Sequence, residues 1–121
     1  MSKKALILGI GGQDGSYLAE LLLSKGYEVH GLIRRSATGN TSNIDHLEDD
    51  ITLHRGDLAD VPSLYAAISA SNPDEIYNEA DQDHAGWSYS LVDYASDITG
   101  AAPGRILEII KQLNPQIKYF Q

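Results

Sequence analysis

Apolar and polar positions along this chain change period several times, and the changes mark out alternating strands and helices. Lys4-Ala-Leu-Ile-Leu-Gly9 is a short apolar run, the pattern of a strand buried on both faces of a parallel sheet. From Tyr17 to Lys25, Leu18, Leu21 and Leu22 recur at helical spacing, and Gly26 is a natural stop. Glu28 to Ile33 reads as a second strand and Ile51 to His54 as a third. Asp60 is placed to cap a helix running through about Ser71, with Pro62 in its first turn. Glu75 to Asn78 is a fourth strand, a helical stretch covers roughly Leu91 to Leu113, and Ile117 to Phe120 is a fifth strand. No repeat, low-complexity tract or linker interrupts the series. Such alternation predicts a parallel sheet with helices on both faces. Right-handed crossovers give the strand order 3-2-1-4-5, with a ligand crevice at the carboxyl ends of strands one and four.

The junction of the first strand and first helix carries the chemistry. Gly9-Ile10-Gly11-Gly12-Gln13-Asp14-Gly15 has a strand before it and a helix after it, the context a dinucleotide-binding turn needs. Gly9 permits the tight turn, Gly12 lets backbone approach a pyrophosphate, and Gly15 lets helix sit on strand. Gln13 and Asp14 belong to the same candidate cofactor contact. The helix start adds unpaired N–H groups and partial positive charge. The expected fold is therefore a three-layer, doubly wound Rossmann-type α/β domain spanning residues 1–121.

Arg34-Arg35-Ser36 stands where NAD binders end the second strand on an acidic residue. Two guanidinium groups and a hydroxyl suit a 2′-phosphate, which favours NADP. Gly56-Asp57-Leu58 closes the third strand beside the expected adenine. Asp57 is a candidate acceptor for its amino group, or it simply caps a turn.

Composition narrows the field. Without cysteine there are no disulfides, thiolate zinc sites or thiol catalysis. A net charge of −8 argues against a nucleic-acid partner. The apolar run after Met1-Ser2-Lys3-Lys4 is too short for a signal peptide or membrane span, so a cytoplasmic protein is expected. At 121 residues the chain is short for a complete cofactor-dependent enzyme.

Gly12 to Glu20, Gly26 to Gly31, Arg34 to Ser36, Ile44 to Leu47, Gly56 to Leu58, Glu75 to Asn78, Gln82, His84 and Asp97 to Gly100 together resemble the GDP-mannose 4,6-dehydratases of the extended short-chain dehydrogenase/reductase group. The resemblance covers the whole chain. It implies NADP as redox cofactor, GDP-mannose as the substrate of the full-length enzymes, a lyase reaction, and an oligomer. It also implies that the catalytic Ser/Thr, Glu and Tyr-x-x-x-Lys residues, with the sugar-nucleotide domain, lie beyond Gln121. No catalytic residue is then expected here. Ala80 and Gln82 fall in the segment expected near the nicotinamide.

Departures from the family pattern matter too. The family's Asn-Leu-Ala-Ala-Gln-Ser-His-Val reads Asn78-Glu79-Ala80-Asp81-Gln82-Asp83-His84-Ala85, so three acids enter that segment. A carboxylate about 4 Å from a phosphate costs roughly 4 kcal/mol at an effective dielectric of 20. Trp87 replaces a smaller residue, and Pro103-Gly104 is expected to kink the last helix. Gly39 and Asn43 weaken the family's tetramer contact, leaving monomer or dimer. A second reading is therefore an engineered or repurposed Rossmann scaffold, or interaction module, with a spoiled cofactor pocket. Glu79, Asp81, Asp83 and His84 match no established metal spacing, and no metal is assigned. His30, His46 and His54 read as structural, and Tyr17, Tyr27 and Tyr77 as packed residues whose hydroxyls reach polar partners.

Overall fold

The computed structural model describes residues 3–34, 44–47, 49–58, 60–79 and 102–120. Five strands form one sheet: β1 (Lys4–Leu8), β2 (Glu28–Arg34), β3 (Ile51–Gly56), β4 (Glu75–Asn78) and β5 (Lys118–Phe120). Their order is β3-β2-β1-β4-β5 and every pairing is parallel, as the alternating pattern predicted. The helices are α1 (Gln13–Ser24), α2 (Val61–Ser71) and α3 (Ala102–Leu113), with a single 3-10 turn at Asp45–Leu47.

β1 is central because both of its faces are apolar. Leu6 and Leu8 point into a core with Leu58, Leu64, Ile68, Ile106, Ile109 and Ile110, under α2 and α3. Ala5 and Ile7 point the other way, into a core with Ile10, Ala19, Leu22, Val29 and Ile44, under α1. The period-2 geometry of a strand thus splits one apolar run between two cores.

Local chemistry sets the element ends. Gly26 takes φ +84° after α1, and Tyr27 N–H donates to the Leu22 carbonyl, closing the helix as expected. Asp60 is the N-cap of α2, but its side chain makes no capping hydrogen bond. Ser63 instead donates to the Asp60 carbonyl, at 2.9 Å.

One expectation for α1 fails. The helix starts at Gln13, within the glycine loop expected to open it, and its buried face is Gly15, Ser16, Ala19 and Leu22. Leu21 and Tyr17 are 51% and 60% exposed, so Tyr17 is not packed. At 3.6 residues per turn a stripe through 15, 19 and 22 leaves 17 and 21 on the flank. Tyr27 and Tyr77 do reach a polar partner, the buried Glu75 on β4. β3 runs two residues further than expected, to Gly56. Of the long last helix, the part from 91 to 101 lies outside the described residues, and Pro103 is the second residue of α3.

Among the described residues no helix is long and apolar enough to cross a membrane.

Candidate functional site at the carboxyl end of the sheet

β1 ends where the sheet changes winding direction. Gly9 N–H donates to the Leu32 carbonyl of β2, at 3.2 Å. On the other side Glu79 N–H donates to the Leu8 carbonyl, at 2.8 Å. The chain therefore leaves the sheet between β2 and β4, at the switch point where open α/β sheets bind ligands. It turns at once, because Gly9 has φ +81° and Gly12 N–H donates back to the Gly9 carbonyl at 3.1 Å.

The glycines of this turn meet different demands. A Cβ on Gly15 would collide with the Gly9 carbonyl oxygen and sit 2.9 Å from Ile10 Cα, both backbone. Gly15 is thus required for α1 to pack on the end of β1. Gly12 has φ −77° and is exposed, and the nearest atom to an added Cβ is the Gly9 oxygen at 3.4 Å. Neither conformation nor internal packing requires glycine there. What a side chain at 12 would obstruct is the space outside the start of α1. The N-cap is Gly12, which has no side chain to cap the helix start, so the first turn of α1 offers N–H groups with the helix dipole behind them. Such a cradle fits an anion that approaches to backbone contact. Gln13 and Asp14 are exposed beside it.

Ile10 locks the turn to the sheet. It is fully buried, and Gly31 on β2 leaves the space it fills: a Cβ on Gly31 would lie 2.6 Å from Ile10 Cδ1. A glycine inside an apolar strand was the available signal of a close approach, and sequence reasoning did not use it.

The second rim of the crevice is the end of β2 and β3. Arg34 is the last residue of β2 and pairs in register with Gly56. Asp57 is half-buried, and its N–H donates to Ser63 Oγ at 3.0 Å. The Leu58 side chain is 3% exposed and faces the α2–α3 core, so only its backbone is available to a ligand. Arg35, Ser36, Ala80 and Gln82 lie outside the described residues, as do Asp81, Asp83, His84 and Trp87. The structure thus gathers Gly9, Gly12, Gln13, Asp14 and Gly15 at one rim and Arg34, Asp57 and Leu58 at the other.

Several titratable groups away from this crevice pair with one another. His30 Nε2 lies 2.7 Å from Glu28 Oε2, and His30 Nδ1 lies 3.1 Å from His54 Nε2 across β2 and β3, with the two rings stacked. The hydrogen bond from His30 holds the Glu28 carboxyl below its usual value. Burial and then the neighbouring His30 charge lower His54. Burial first, and the hydrogen bond to Glu75 second, push Tyr77 up to about 12. His46 pairs with Glu20 at 2.5 Å. Among the described residues no group of three or more His, Asp or Glu side chains is arranged to hold a metal.

The strand order, the Gly9 turn and the open start of α1 define a Rossmann-type domain of the nucleotide-binding class. Comparison with known proteins takes this further. The family model for GDP-mannose 4,6 dehydratase matches residues 6–121, and the chain belongs to that family. It is 46% identical to GDP-mannose 4,6 dehydratase of Homo sapiens, covering 97% of this chain and 34% of that protein. It is 45% identical to GDP-mannose 4,6 dehydratase 1 of Arabidopsis thaliana, covering 98% of this chain and 36% of that protein. The chain corresponds to the N-terminal region of these relatives and spans about a third of their length. Among solved structures, Thermus thermophilus UDP-glucose 4-epimerase in complex with NAD superimposes with TM-score 0.76 and 26% identity, over 90% of this chain and 34% of that one. A Bordetella bronchiseptica enzyme in complex with NAD+ gives TM-score 0.68 at 31% identity, over 93% of this chain and 36% of that one.

Proposed function

We propose that residues 1–121 form one dinucleotide-binding domain that holds NADP, as the cofactor-binding portion of a GDP-mannose 4,6 dehydratase. The pyrophosphate sits on Gly12 and the start of α1, with Gly9 and Gly15 shaping the turn. Arg34, Arg35 and Ser36 receive the 2′-phosphate. Asp57 and the Leu58 backbone face the adenine, and Ala80 and Gln82 lie toward the nicotinamide. Bound there, the nicotinamide would supply hydride acceptance. This chain's residues bind and orient, and none of them is assigned a catalytic role. The lyase chemistry on GDP-mannose belongs to the full-length relatives.

The observation that carries this reading is Gly12, a glycine that the chain's own fold does not need. The NAD complexes of the two similar enzymes support the nicotinamide dinucleotide class. The phosphorylated form rests on the Arg34-Arg35-Ser36 run. Isothermal titration of the folded chain tests both. NADPH is expected to bind at micromolar levels and at least tenfold more tightly than NADH, a difference of about 1.4 kcal/mol. Arg35→Ala should erase that preference. No binding up to millimolar NADPH and NADH would overturn the reading in favour of a scaffold with a spoiled pocket.

A further inference from the structure

The turn after β3 is held from two helices. From α2, Ser63 Oγ accepts from Asp57 N–H and donates to the Asp60 carbonyl. From α3, Arg105 Nη1 donates to the Leu58 carbonyl at 3.3 Å, across 47 residues of sequence. α3 turns Ile106, Ile109 and Ile110 into the core that also buries Leu58, and Arg105 precedes Ile106 on the flank of that face. A half-buried guanidinium in this position is tolerated when its donors are used, and one of them goes to a main-chain acceptor in the turn. The same turn sits next to Arg34 through the Arg34–Gly56 pairing. On the dinucleotide reading, residues 57 and 58 follow directly from the strand end that pairs with the end of β2, and the adenine is assigned to them.

We propose that Arg105 is a positioning residue for adenine recognition. It touches no ligand. It holds the Leu58 carbonyl, and so fixes Asp57 at the height where its carboxylate meets the adenine amino group. α3 thereby couples its packing on the sheet to the shape of the adenine subsite. This inference rests on the dinucleotide reading above.

The test compares NADPH with its hypoxanthine analogue, which has lost the 6-amino group, by titration against the whole chain. The wild type should prefer the adenine form about tenfold. Arg105→Met should collapse the ratio toward one, mainly by weakening NADPH, whereas Arg105→Lys, which retains a cationic donor, should keep most of the preference. A purely structural role would instead weaken both ligands equally and leave the ratio unchanged, which would overturn the proposal. So would a wild type that binds both forms alike. If Arg105→Met does not fold, Arg105→Gln is read by the same ratio. A wild type that binds neither ligand points to failure of the dinucleotide reading itself. A wild type that discriminates, with an Arg105→Met variant that does so equally well, sinks only the role of Arg105.

Discussion

Gly9, Gly12 and Gly15 look alike in sequence, yet Gly9 answers to conformation and Gly15 to packing, while Gly12 is under neither demand. Substitution should separate them. Gly15→Ala forces a methyl onto backbone atoms and should destabilise the chain by about 1–3 kcal/mol, the range for overpacking. Gly12→Ala meets only ordinary contact and should stay within about 0.5 kcal/mol of wild type, as neutral surface changes do. NADPH binding should respond the other way, falling at least tenfold in Gly12→Ala. Chemical denaturation paired with titration of both variants checks this. Equal stability losses would mean that Gly12 serves the fold after all. The roles of Gly9 and Gly15 were legible in sequence because strand, glycine spacing and helix occur in order. The part played by Ile10 and Gly31 was not, because their contact joins a loop to a strand some twenty residues away.

At the scale of elements, β2 and β3 are tied by a histidine pair that should make the protein acid-sensitive. Glu28 Oε2 faces His30 Nε2 at 2.7 Å and His30 Nδ1 faces His54 Nε2 at 3.1 Å, so protonated imidazoles on both strands would set N–H against N–H. His54 has its folded value below the ordinary 6.5, so the unfolded chain takes up the proton first. Stability should therefore begin to fall as pH drops below about 6.5, and level off once pH passes the lower, folded value. Glu28 acts later. Its folded value lies below the ordinary 4.5, so its contribution is present above that pH and is lost as pH falls through the folded value. Thermal midpoints measured from pH 8 to pH 5 should decline in the wild type and decline less in His54→Gln. Parallel curves would exclude His54 as the cause. The sequence reads these histidines as structural, and in the structure His30 pairs with Glu28 and stacks on His54. Their partnership follows from strand register, which single-strand patterns leave open. The same limit explains Tyr17 and Leu21: leucine spacing announced a helix, but its inward face was fixed by the small residues Gly15, Ser16 and Ala19.

At the scale of the molecule, fold class and strand order were legible because short strand-like runs, the first of them wholly apolar, alternate with helical patterns along the chain. Less was legible at the crevice, whose second rim draws on α2 and α3 from distant sequence. The two cores share β1, with Ile7 on one side and Leu8 on the other, both fully buried. Ile7→Ala and Leu8→Ala should each cost about 2–5 kcal/mol. Both variants should still unfold in a single transition, since neither core closes without the strand they share. Urea unfolding followed by far-ultraviolet circular dichroism and by tyrosine fluorescence checks this. Two separated transitions in either variant would show that the cores are independent.

The seat of Ile10 over Gly31 has a consequence for binding thermodynamics. A fully buried side chain holds the Gly9–Gly12 turn in shape through contacts with the protein alone. A ligand arriving at such a turn has little backbone left to order, and ordering is a main cost of association. Dinucleotide capture should then behave as docking onto a preformed cradle, with little change in backbone conformation at Gly9 to Gly12. Enlarging Gly31 should slow capture by loosening that cradle, without removing any group that touches the ligand.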